Sequence, residues 1–225
     1  MYKTKSYRMK IEFWEQRWDE GSIGFHLSEV NPYLTKYWSC LGIDNEAVVL
    51  VPMCGKSLDM IWLISQGYSV LGVECSEKAI KAFSNEQKLD LQANSYKNFT
   101  AHKGSQVSIL EGDFFKLDKD SLSKLSAVYD RASLVALPEL MRKQYVKLLA
   151  ENLPLHVNML LVTIEYNQAL MSGPPFSVSN DEVERLYKPH FLVEKLYQED
   201  IVNKQPRFKQ KGLDMMIERV YRISR

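Results

Sequence analysis

The residues best suited to chemistry lie in three short segments, each at the end of an apolar run. The first is the turn 53–57, with the sequence MCGKS. A second run ends in Glu74, 19 residues after Gly55, and a third ends in Asp113 and Phe114. A carboxylate after the second strand of an α/β sheet can accept hydrogen bonds from both hydroxyls of a ribose. An acid beside an aromatic ring, as in the third segment, is suited to contact an adenine.

The turn 53–57 admits three interpretations. A phosphate-binding P-loop has the pattern GxxxxGK[ST]; the final GKS is present, but Leu50 stands where the first glycine is needed. A dinucleotide-binding turn needs GxGxxG, and this turn has a single glycine. The third interpretation is a nucleoside cofactor without phosphates, for which one glycine suffices to bring the backbone close to a small ligand.

An alternation of strands and helices positions these segments. Continuous apolar or β-branched runs predict five strands, and the residues between them have helical periodicity. This alternation predicts an α/β fold with a parallel sheet, helices on both faces and ligands bound at the carboxyl edge near the first strand. The predicted strands are 47–52, 68–74, 107–113, 127–130 and 159–166, and the predicted helices are 58–65, 77–88 and one with Pro138 as its first residue.

The last part of the chain predicts a different arrangement. Ser179 and Glu182 have the spacing of a capping box at the start of a helix. Two apolar segments, 191–200 and 213–223, then follow with little helix between them, so they must pair as an antiparallel C-terminal hairpin at one sheet edge. The result is a Rossmann-like, mostly parallel sheet of seven strands. Residues 89–105 are polar and are predicted as a loop or a small hairpin.

The N-terminal residues 1–40 are predicted to cap the carboxyl edge of the strands. Within them, Trp14 and Trp18 have the i,i+4 spacing of a helix that packs one apolar face. A loop with two glycines and a short helix at 33–41 follow. By spacing alone, Trp18 is assigned to packing.

The composition excludes several classes of protein. Lys and Arg total 29 against 28 for Asp and Glu, so the net charge of +1 gives no electrostatic case for a nucleic-acid or membrane-surface partner. The three cysteines and four histidines lack the spacing of a disulfide framework or a metal site. No signal-peptide pattern and no apolar run long enough for a membrane span is present. We therefore expect a cytoplasmic, metal-free chain with one domain over 1–225, and a monomer because no apolar stripe is left unassigned.

The three landmarks together point to a particular cofactor. A sheet of this kind, with one glycine in its first turn, an acid after its second strand and an Asp-Phe pair after its third, favours S-adenosylmethionine. The alternative for Glu74 is a solvated charge at a strand end. An NAD-linked enzyme is disfavoured by the turn.

Six segments of the chain carry a family resemblance. They are FWEQRWDEGSIGFH (13–26), VLVPMCGKSLDMIWL (49–63), GYSVLGVECSE (67–77), GDFF (112–115), YDRASLVALP (129–138) and SGPPFSVS (172–179). In this order they resemble thiopurine S-methyltransferase, particularly its bacterial members, which are class I S-adenosylmethionine-dependent methyltransferases. The PMCGKS turn combined with GPPF is far more specific than a lone glycine motif. Residues 89–105 and the last 40 residues match by pattern only.

The resemblance implies an activity and a set of site residues. The activity is methyl transfer from S-adenosylmethionine to the sulfur of aromatic and heterocyclic thiols such as thiopurines, and bacterial members are also associated with selenium and tellurium species. The implied cofactor-binding residues are Trp14, Met53 (usually Leu in the family), Glu74, Asp113, Phe114 and Arg131. The implied substrate-binding residues are Phe25 and Arg207. Arg131 and Arg207 are also candidates for stabilising an anionic acceptor.

The chemistry of such a transfer demands little from the protein. It is an in-line displacement on an already activated carbon, and heteroaromatic thiols are expected to be partly ionised at neutral pH. We therefore expect alignment and a nearby guanidinium, with no obligatory general base. Arg131 is suited to bind the carboxylate of the cofactor, and the alternative is that it pairs with Asp130. Two other functions remain open: a halide or thiocyanate methyltransferase, and a non-enzymatic sensor that binds S-adenosylmethionine.

Overall fold

One sheet with helices on both sides forms the protein, in a computed structural model that describes residues 11–225. The strands are β1 Val48–Pro52, β2 Ser69–Glu74, β3 Gln92–Tyr96, β4 Phe99–Lys103, β5 Val107–Glu111, β6 Leu125–Arg131, β7 Asn158–Glu165, β8 Leu192–Asp200 and β9 Ile217–Ser224. The α-helices are α1 Ile11–Asp19, α2 Pro32–Tyr37, α3 Leu58–Ser65, α4 Glu77–Gln87, α5 Lys119–Leu122, α6 Glu139–Asn152, α7 Asn180–Tyr187 and α8 Pro206–Lys209. Short 3-10 turns lie at Trp38–Leu41, Phe114–Lys116, Leu134–Ala136, Gln168–Leu170 and Val202–Lys204.

The five strands predicted from apolar runs lie side by side at the centre of the sheet. The order across the sheet is β3-β4-β5-β2-β1-β6-β7-β9-β8. The run from β5 to β7 is parallel throughout, and its side chains are mostly buried, as expected for strands covered on both faces. Because parallel strands end at one edge, the turns after β1, β2, β5 and β6 meet there. The α/β class and the parallel core are therefore confirmed.

The predicted number of seven strands was wrong, because the sheet has nine. The additional pair is β3 and β4, an antiparallel hairpin that joins the edge at β5 and comes from the polar segment 89–105. Four of the five residues of β3 are exposed, so no apolar face marks it as a strand. In β4, only Phe99 and Ala101 are buried. The C-terminal hairpin is confirmed, with β9 antiparallel to β7 and β8 at the edge.

Two apolar clusters cover the sheet, one on each face. The first contains Met60 of α3, Phe83 of α4 and Trp38, and the second contains Tyr145 and Leu149 of α6. Each side chain of this size stabilises the fold by about 1.5–3 kcal/mol when it is fully buried. The helices that connect parallel strands thus fix the sheet and the edge where its turns meet. None of the helices over residues 11–225 is both long and apolar enough to cross a bilayer.

The helix starts follow the predictions with one small shift. The Ser76 hydroxyl accepts a hydrogen bond from the Ala79 N–H at the start of α4, as expected of an N-cap. Pro138 was predicted to be the first residue of α6, but it is the residue before the helix, which begins at Glu139.

The capping box predicted at the start of α7 is half formed. The Ser179 hydroxyl accepts from the Glu182 N–H at 3.2 Å. The carboxylate of Glu182 instead accepts two hydrogen bonds from Arg142, at 2.7 and 3.0 Å, and Arg142 also donates to the Leu137 carbonyl at 2.8 Å. A buried carboxylate is better compensated by a guanidinium than by a backbone N–H. This pair joins α6 to α7.

Candidate active site

A cavity of about 1140 Å³ opens at the carboxyl edge of the parallel strands. It exceeds the roughly 300–1,000 Å³ usual for one small ligand, so it has room for a nucleoside cofactor and a small second ligand. All eight residues predicted for the site line this cavity, and their individual roles stay predictions. They are Trp14, Phe25, Met53, Glu74, Asp113, Phe114, Arg131 and Arg207.

Glu74, at the end of β2, has its carboxylate fixed by the backbone. Oε2 accepts from the Gly55 N–H at 2.8 Å and Oε1 from the Ser76 N–H at 2.9 Å. The residue is 6% exposed, and burial raises the pKa of its carboxyl group while the backbone N–H groups of Ser76, Gly55 and Cys75 lower it. Glu74 is therefore not a solvated strand-end charge.

The Glu74 carboxylate still has capacity for a ligand. Each carboxylate oxygen can accept two hydrogen bonds, and Oε2 uses one on Gly55. The second donor to Oε1 is the Cys75 thiol at 3.4 Å, a weak donor that a hydroxyl can displace. Two ribose hydroxyls can thus be accommodated by a carboxylate that is already oriented.

The turn after β1 is strained and closely packed. Met53 has a φ of 46° and Gly55 a φ of 52°, which is the left-handed region that costs a non-glycine residue of the order of 1–3 kcal/mol. A Cβ atom on Gly55 would lie 3.2 Å from the ring of Trp18. The single glycine of the turn therefore allows a tryptophan to approach the backbone. Trp18, assigned by spacing to packing, also lines the cavity.

Three aromatic rings form the N-terminal side of the cavity, here called the aromatic wall: Trp14, Trp18 and Phe25. The ring centroids of Trp14 and Phe25 are 5.7 Å apart at 79°, and those of Trp18 and Phe25 are 5.7 Å apart at 73°. Both are edge-to-face pairs, a favourable arrangement. Of the predicted cap over 1–40, residues 1–10 lie outside the described residues.

Arg131, at the end of β6, does not pair with the neighbouring Asp130. The buried Asp130 carboxylate instead accepts from the Tyr145 hydroxyl at 2.7 Å and from the Leu134 N–H at 3.2 Å. Arg131 forms no ion pair with any other residue over 11–225. The Ser133 hydroxyl donates to the Pro52 carbonyl at 2.6 Å, which ties the turn after β6 to that after β1. Arg131 is thus presented to the cavity with its guanidinium available for an anion.

Arg207 connects the two ends of the chain at the mouth of the cavity. Its Nη1 donates to the Gly24 carbonyl at 2.9 Å, and its guanidinium lies 4.5 Å from the ring centroid of Phe208. This contact joins α8 to the loop that carries Phe25. A guanidinium has five N–H groups, so further donors remain for a ligand.

Among the polar residues of the cavity that sequence reasoning missed are Glu218 on β9 and Tyr33 on α2. Glu218 is half-buried and lies close to the Tyr33 hydroxyl. Burial raises the pKa of Glu218, while the Tyr33 hydrogen bond and the charge of Arg131 lower it. Neither residue lies in one of the six segments that carry the family resemblance. Glu218 lies in the last 40 residues, where the sequence matches the family by pattern only.

Neither cysteine next to the site is suited to act as a nucleophile. Burial raises the pKa of both the Cys54 and the Cys75 thiols, and the nearby Glu74 carboxylate raises each further. Such thiols stay protonated at neutral pH and are weakly reactive. Within residues 11–225, no group of three or more His, Cys, Asp or Glu side chains could hold a metal ion.

Comparison with known proteins identifies the family. The family model for thiopurine S-methyltransferase matches residues 9–225. The chain belongs to the thiopurine S-methyltransferase family. Relatives in this family include the thiopurine S-methyltransferases of Pseudomonas fluorescens (strain Pf0-1), 46% identical, and of Azotobacter vinelandii, 44% identical. The alignments cover 96% of this chain and 99% and 100% of those proteins.

Solved structures confirm the fold of this family member as that of class I methyltransferases. A crystal structure of the 1,6-didemethyltoxoflavin-N1-methyltransferase of Burkholderia thailandensis matches with a TM-score of 0.64 and 15% identity, covering 96% of this chain and 87% of that one. It contains bound S-adenosylhomocysteine. The arsenic(III) S-adenosylmethionine methyltransferase of Chlamydomonas reinhardtii has a TM-score of 0.57 at 16% identity, over 80% of this chain and 64% of that one.

The residues of the cavity fit S-adenosylmethionine, the cofactor of this family. The fixed carboxylate of Glu74 matches a ribose with two free hydroxyls, and the guanidinium of Arg131 matches a carboxylate. The protein is thus an S-adenosylmethionine-dependent methyltransferase of the thiopurine S-methyltransferase family.

Proposed function

We propose that the protein transfers the methyl group of S-adenosylmethionine to the sulfur of aromatic and heterocyclic thiols such as thiopurines. One observation carries this proposal: the guanidinium of Arg131, free of any ion pair within residues 11–225, shares a cavity with the aromatic wall and the buried carboxylate of Glu74. The cavity thus combines an acid for a ribose, a cation for an anion and rings for a flat ligand. The names of the relatives support a thiopurine as the acceptor.

We assign cofactor binding to Trp14 and to the residues at the ends of β1, β2, β5 and β6. Arg131, at the end of β6, has five N–H groups and contacts the carboxylate of the cofactor as well as an anionic acceptor. Glu74 accepts the ribose hydroxyls, the backbone at Met53 contacts the cofactor, and Asp113 with Phe114 contacts the adenine. Trp14 presents its ring to the sulfonium. When bound, S-adenosylmethionine supplies a methyl group that its sulfonium already activates.

We assign acceptor binding to Phe25 of the aromatic wall and to the two arginines. Phe25 contacts the ring of the acceptor, and the guanidinium groups of Arg131 and Arg207 favour its thiolate over its thiol. A thiolate needs no further deprotonation, so these side chains have only to align its sulfur for in-line displacement. Alignment of this kind contributes several kcal/mol, and no obligatory general base is required.

The test is methyl transfer to several acceptors in parallel. Purified protein is incubated with S-adenosylmethionine and with 6-mercaptopurine, iodide, thiocyanate, selenite or tellurite, and methylated products are quantified. We expect product from 6-mercaptopurine, and selenite or tellurite turnover would extend the acceptor range to metalloids. Turnover of iodide or thiocyanate alone would refute the thiol assignment. Cofactor binding without product from any acceptor would establish a sensor instead.

Arg131→Met is the matched variant for this assay. Loss of a charge-assisted hydrogen bond is worth about 1.5–3 kcal/mol, so kcat/KM for 6-mercaptopurine should fall roughly 10–100-fold. Arg185→Met, at an exposed arginine of α7 away from the cavity, is the control and should keep wild-type activity.

We further propose that the enzyme is cytoplasmic and monomeric, with one domain in which residues 1–40 cap the active site. Cys40, Cys54 and Cys75 are all free thiols, which supports a reducing compartment. The position of Trp14 and Phe25 on the cavity supports the cap. Gel filtration and cell fractionation test the first two statements.

A further inference from the structure

Glu218 lies on the side of the cavity opposite the residues assigned to the nucleoside. In the sheet order, β2 and β5 carry Glu74 and the Asp113 turn, whereas β9 lies beyond β6 and β7 on the other side of β1. The neighbours of Glu218 on this side include Ile164 on β7, which pairs with it in register and also lines the cavity. A side chain at this position is closer to the acceptor than to the nucleoside of the cofactor.

The register places Glu218 and Arg131 on the same face of the sheet. Arg131 pairs with Val162 and Glu218 with Ile164, and residues two apart on one strand point to the same face. Two strand spacings and two residues along β7 put their Cα atoms roughly 12 Å apart. The charge of Arg131 lowers the pKa of Glu218. A flat ligand between these long side chains can contact both.

Glu218 is oriented, yet it is not neutralised by a cation. The Tyr33 hydroxyl lies beside its carboxylate, and the Tyr33 ring packs against Tyr197, with centroids 5.6 Å apart. Within residues 11–225, Glu218 forms no ion pair. The nearby Lys204 is instead bound to Glu199 at 2.6 Å, and Arg219 pairs with Glu165.

The carboxylate therefore keeps lone pairs that face the acceptor side of the cavity. Carboxylate oxygens accept about four hydrogen bonds in total, and the neighbouring Tyr33 hydroxyl can supply one of them. A half-buried acceptor with unused lone pairs gains most from a ligand that brings an N–H donor, because the carboxylate has already lost part of its hydration.

We propose that Glu218 is a specificity-determining residue for the methyl acceptor, whose carboxylate accepts a hydrogen bond from an N–H group carried by the acceptor's aromatic ring. This inference rests on the proposed function in taking the ligand beside the cofactor to be an aromatic thiol. Arg131 then contacts the sulfur side of the ring and Glu218 the N–H side, with Tyr33 as a positioning residue for Glu218. The substrate class is amino-substituted or N-heterocyclic aryl thiols, in preference to purely carbocyclic ones.

The test compares acceptors that differ only by N–H against C–H. The probes are 2-, 3- and 4-aminothiophenol and the corresponding methylthiophenols, which match in size, kept reduced and titrated calorimetrically into protein saturated with S-adenosylhomocysteine. We expect at least one amino isomer to bind wild-type protein roughly tenfold more tightly than its methyl partner. Glu218→Leu should lose this preference, and Glu218→Gln, which keeps an amide oxygen, should reduce it.

Two further variants separate recognition from general damage. Tyr33→Phe should weaken the amino preference without abolishing it, because the carboxylate stays but is less well held. Glu194→Gln removes an exposed carboxylate of the same strand β8, outside the residues that line the cavity, and should keep the full preference. Circular dichroism confirms folding; should Glu218→Leu fail to fold, Glu218→Gln carries the test.

The outcomes distinguish this inference from the proposed function. Equal losses of affinity for amino and methyl isomers in Glu218→Gln, or no amino preference in the wild type, would overturn the specificity role. Turnover of the same thiols is then measured with S-adenosylmethionine. Thiol methylation with an unchanged amino preference in Glu218→Gln refutes the inference alone. An amino preference that depends on Glu218 without any methyl transfer supports the inference and refutes the proposed function.

Discussion

Replacing Glu74 by glutamine tests whether its carboxylate has both a structural and a binding role. Glutamine has nearly the same shape, but one of its two terminal atoms is an NH2 donor. In the structure both carboxylate oxygens accept backbone N–H groups, at 2.8 Å from Gly55 and 2.9 Å from Ser76. In either orientation, the amide NH2 of the variant must therefore face one of these donors.

The expected losses follow from these contacts. A buried backbone N–H without an acceptor costs about 1–3 kcal/mol of folding free energy. Hydrogen bonds to a charged acceptor exceed those to a neutral one by about 1 kcal/mol each, so two ribose hydroxyls lose about 2 kcal/mol. This corresponds to a cofactor Kd that is roughly 30-fold higher.

Urea unfolding measures the loss of folding free energy, and calorimetric titration with S-adenosylhomocysteine measures the loss of affinity. Glu86→Gln is the control, because it removes the exposed partner of Lys56 beside the same turn and leaves both N–H bonds of Glu74 intact. A folded Glu74→Gln protein with wild-type Kd would refute the assignment of Glu74 to the ribose. A wild-type free energy of unfolding would refute the structural role of the two N–H bonds.

Three other perturbations act on buried groups. Gly55→Ala places a Cβ atom 3.2 Å from the Trp18 ring at a φ of 52° and should lower the free energy of unfolding by about 1–2 kcal/mol; Gly67→Ala, also at positive φ but facing open space, reports the backbone cost alone. Arg142→Ala leaves the buried Glu182 carboxylate unpaired and should lower the free energy of unfolding in urea by about 3–5 kcal/mol. A loss below about 1 kcal/mol, the value of an exposed ion pair, would contradict this. The affinity for S-adenosylhomocysteine should fall as pH drops through the pKa of Glu74, which burial raises, since only the ionised carboxylate accepts both hydroxyls strongly; a flat Kd over the acid range in which the protein stays folded would exclude this.

The parallel core was predictable because burial on both faces of the sheet leaves a direct signal in the sequence of each strand. Strands such as Val48–Pro52 are buried on both faces, so they are apolar along their whole length and stand out from the helices around them. The acids and the arginine of the site follow directly where such strands end, as Glu74 and Arg131 do. Knowing the ends of the strands was therefore enough to bring these residues together at one edge.

The edge strand and several contacts of the site could not be predicted, because they depend on residues far apart in the sequence. The strand Gln92–Tyr96 is exposed on both faces at the sheet edge, so no apolar pattern distinguishes it from a loop. The carboxylate of Asp130 was the alternative partner for Arg131, but the hydroxyl of Tyr145 on α6 donates to it instead. Glu218 and Tyr33 meet only because an antiparallel C-terminal strand passes beside an N-terminal helix.

The two halves of the cavity are built in different ways, and this has a functional consequence. The cofactor side consists of turns after parallel strands, joined by buried hydrogen bonds such as Gly55 to Glu74 and Ser133 to Pro52. The acceptor side is assembled from the two ends of the chain, with the exposed Arg207–Gly24 contact across its mouth. Local opening costs least where contacts are few and exposed, so the acceptor side is the part that can admit a ligand without disturbing Glu74. Substitutions of Phe25, Arg207 or Glu218 should therefore change KM for the acceptor while they leave the Kd of the cofactor unchanged.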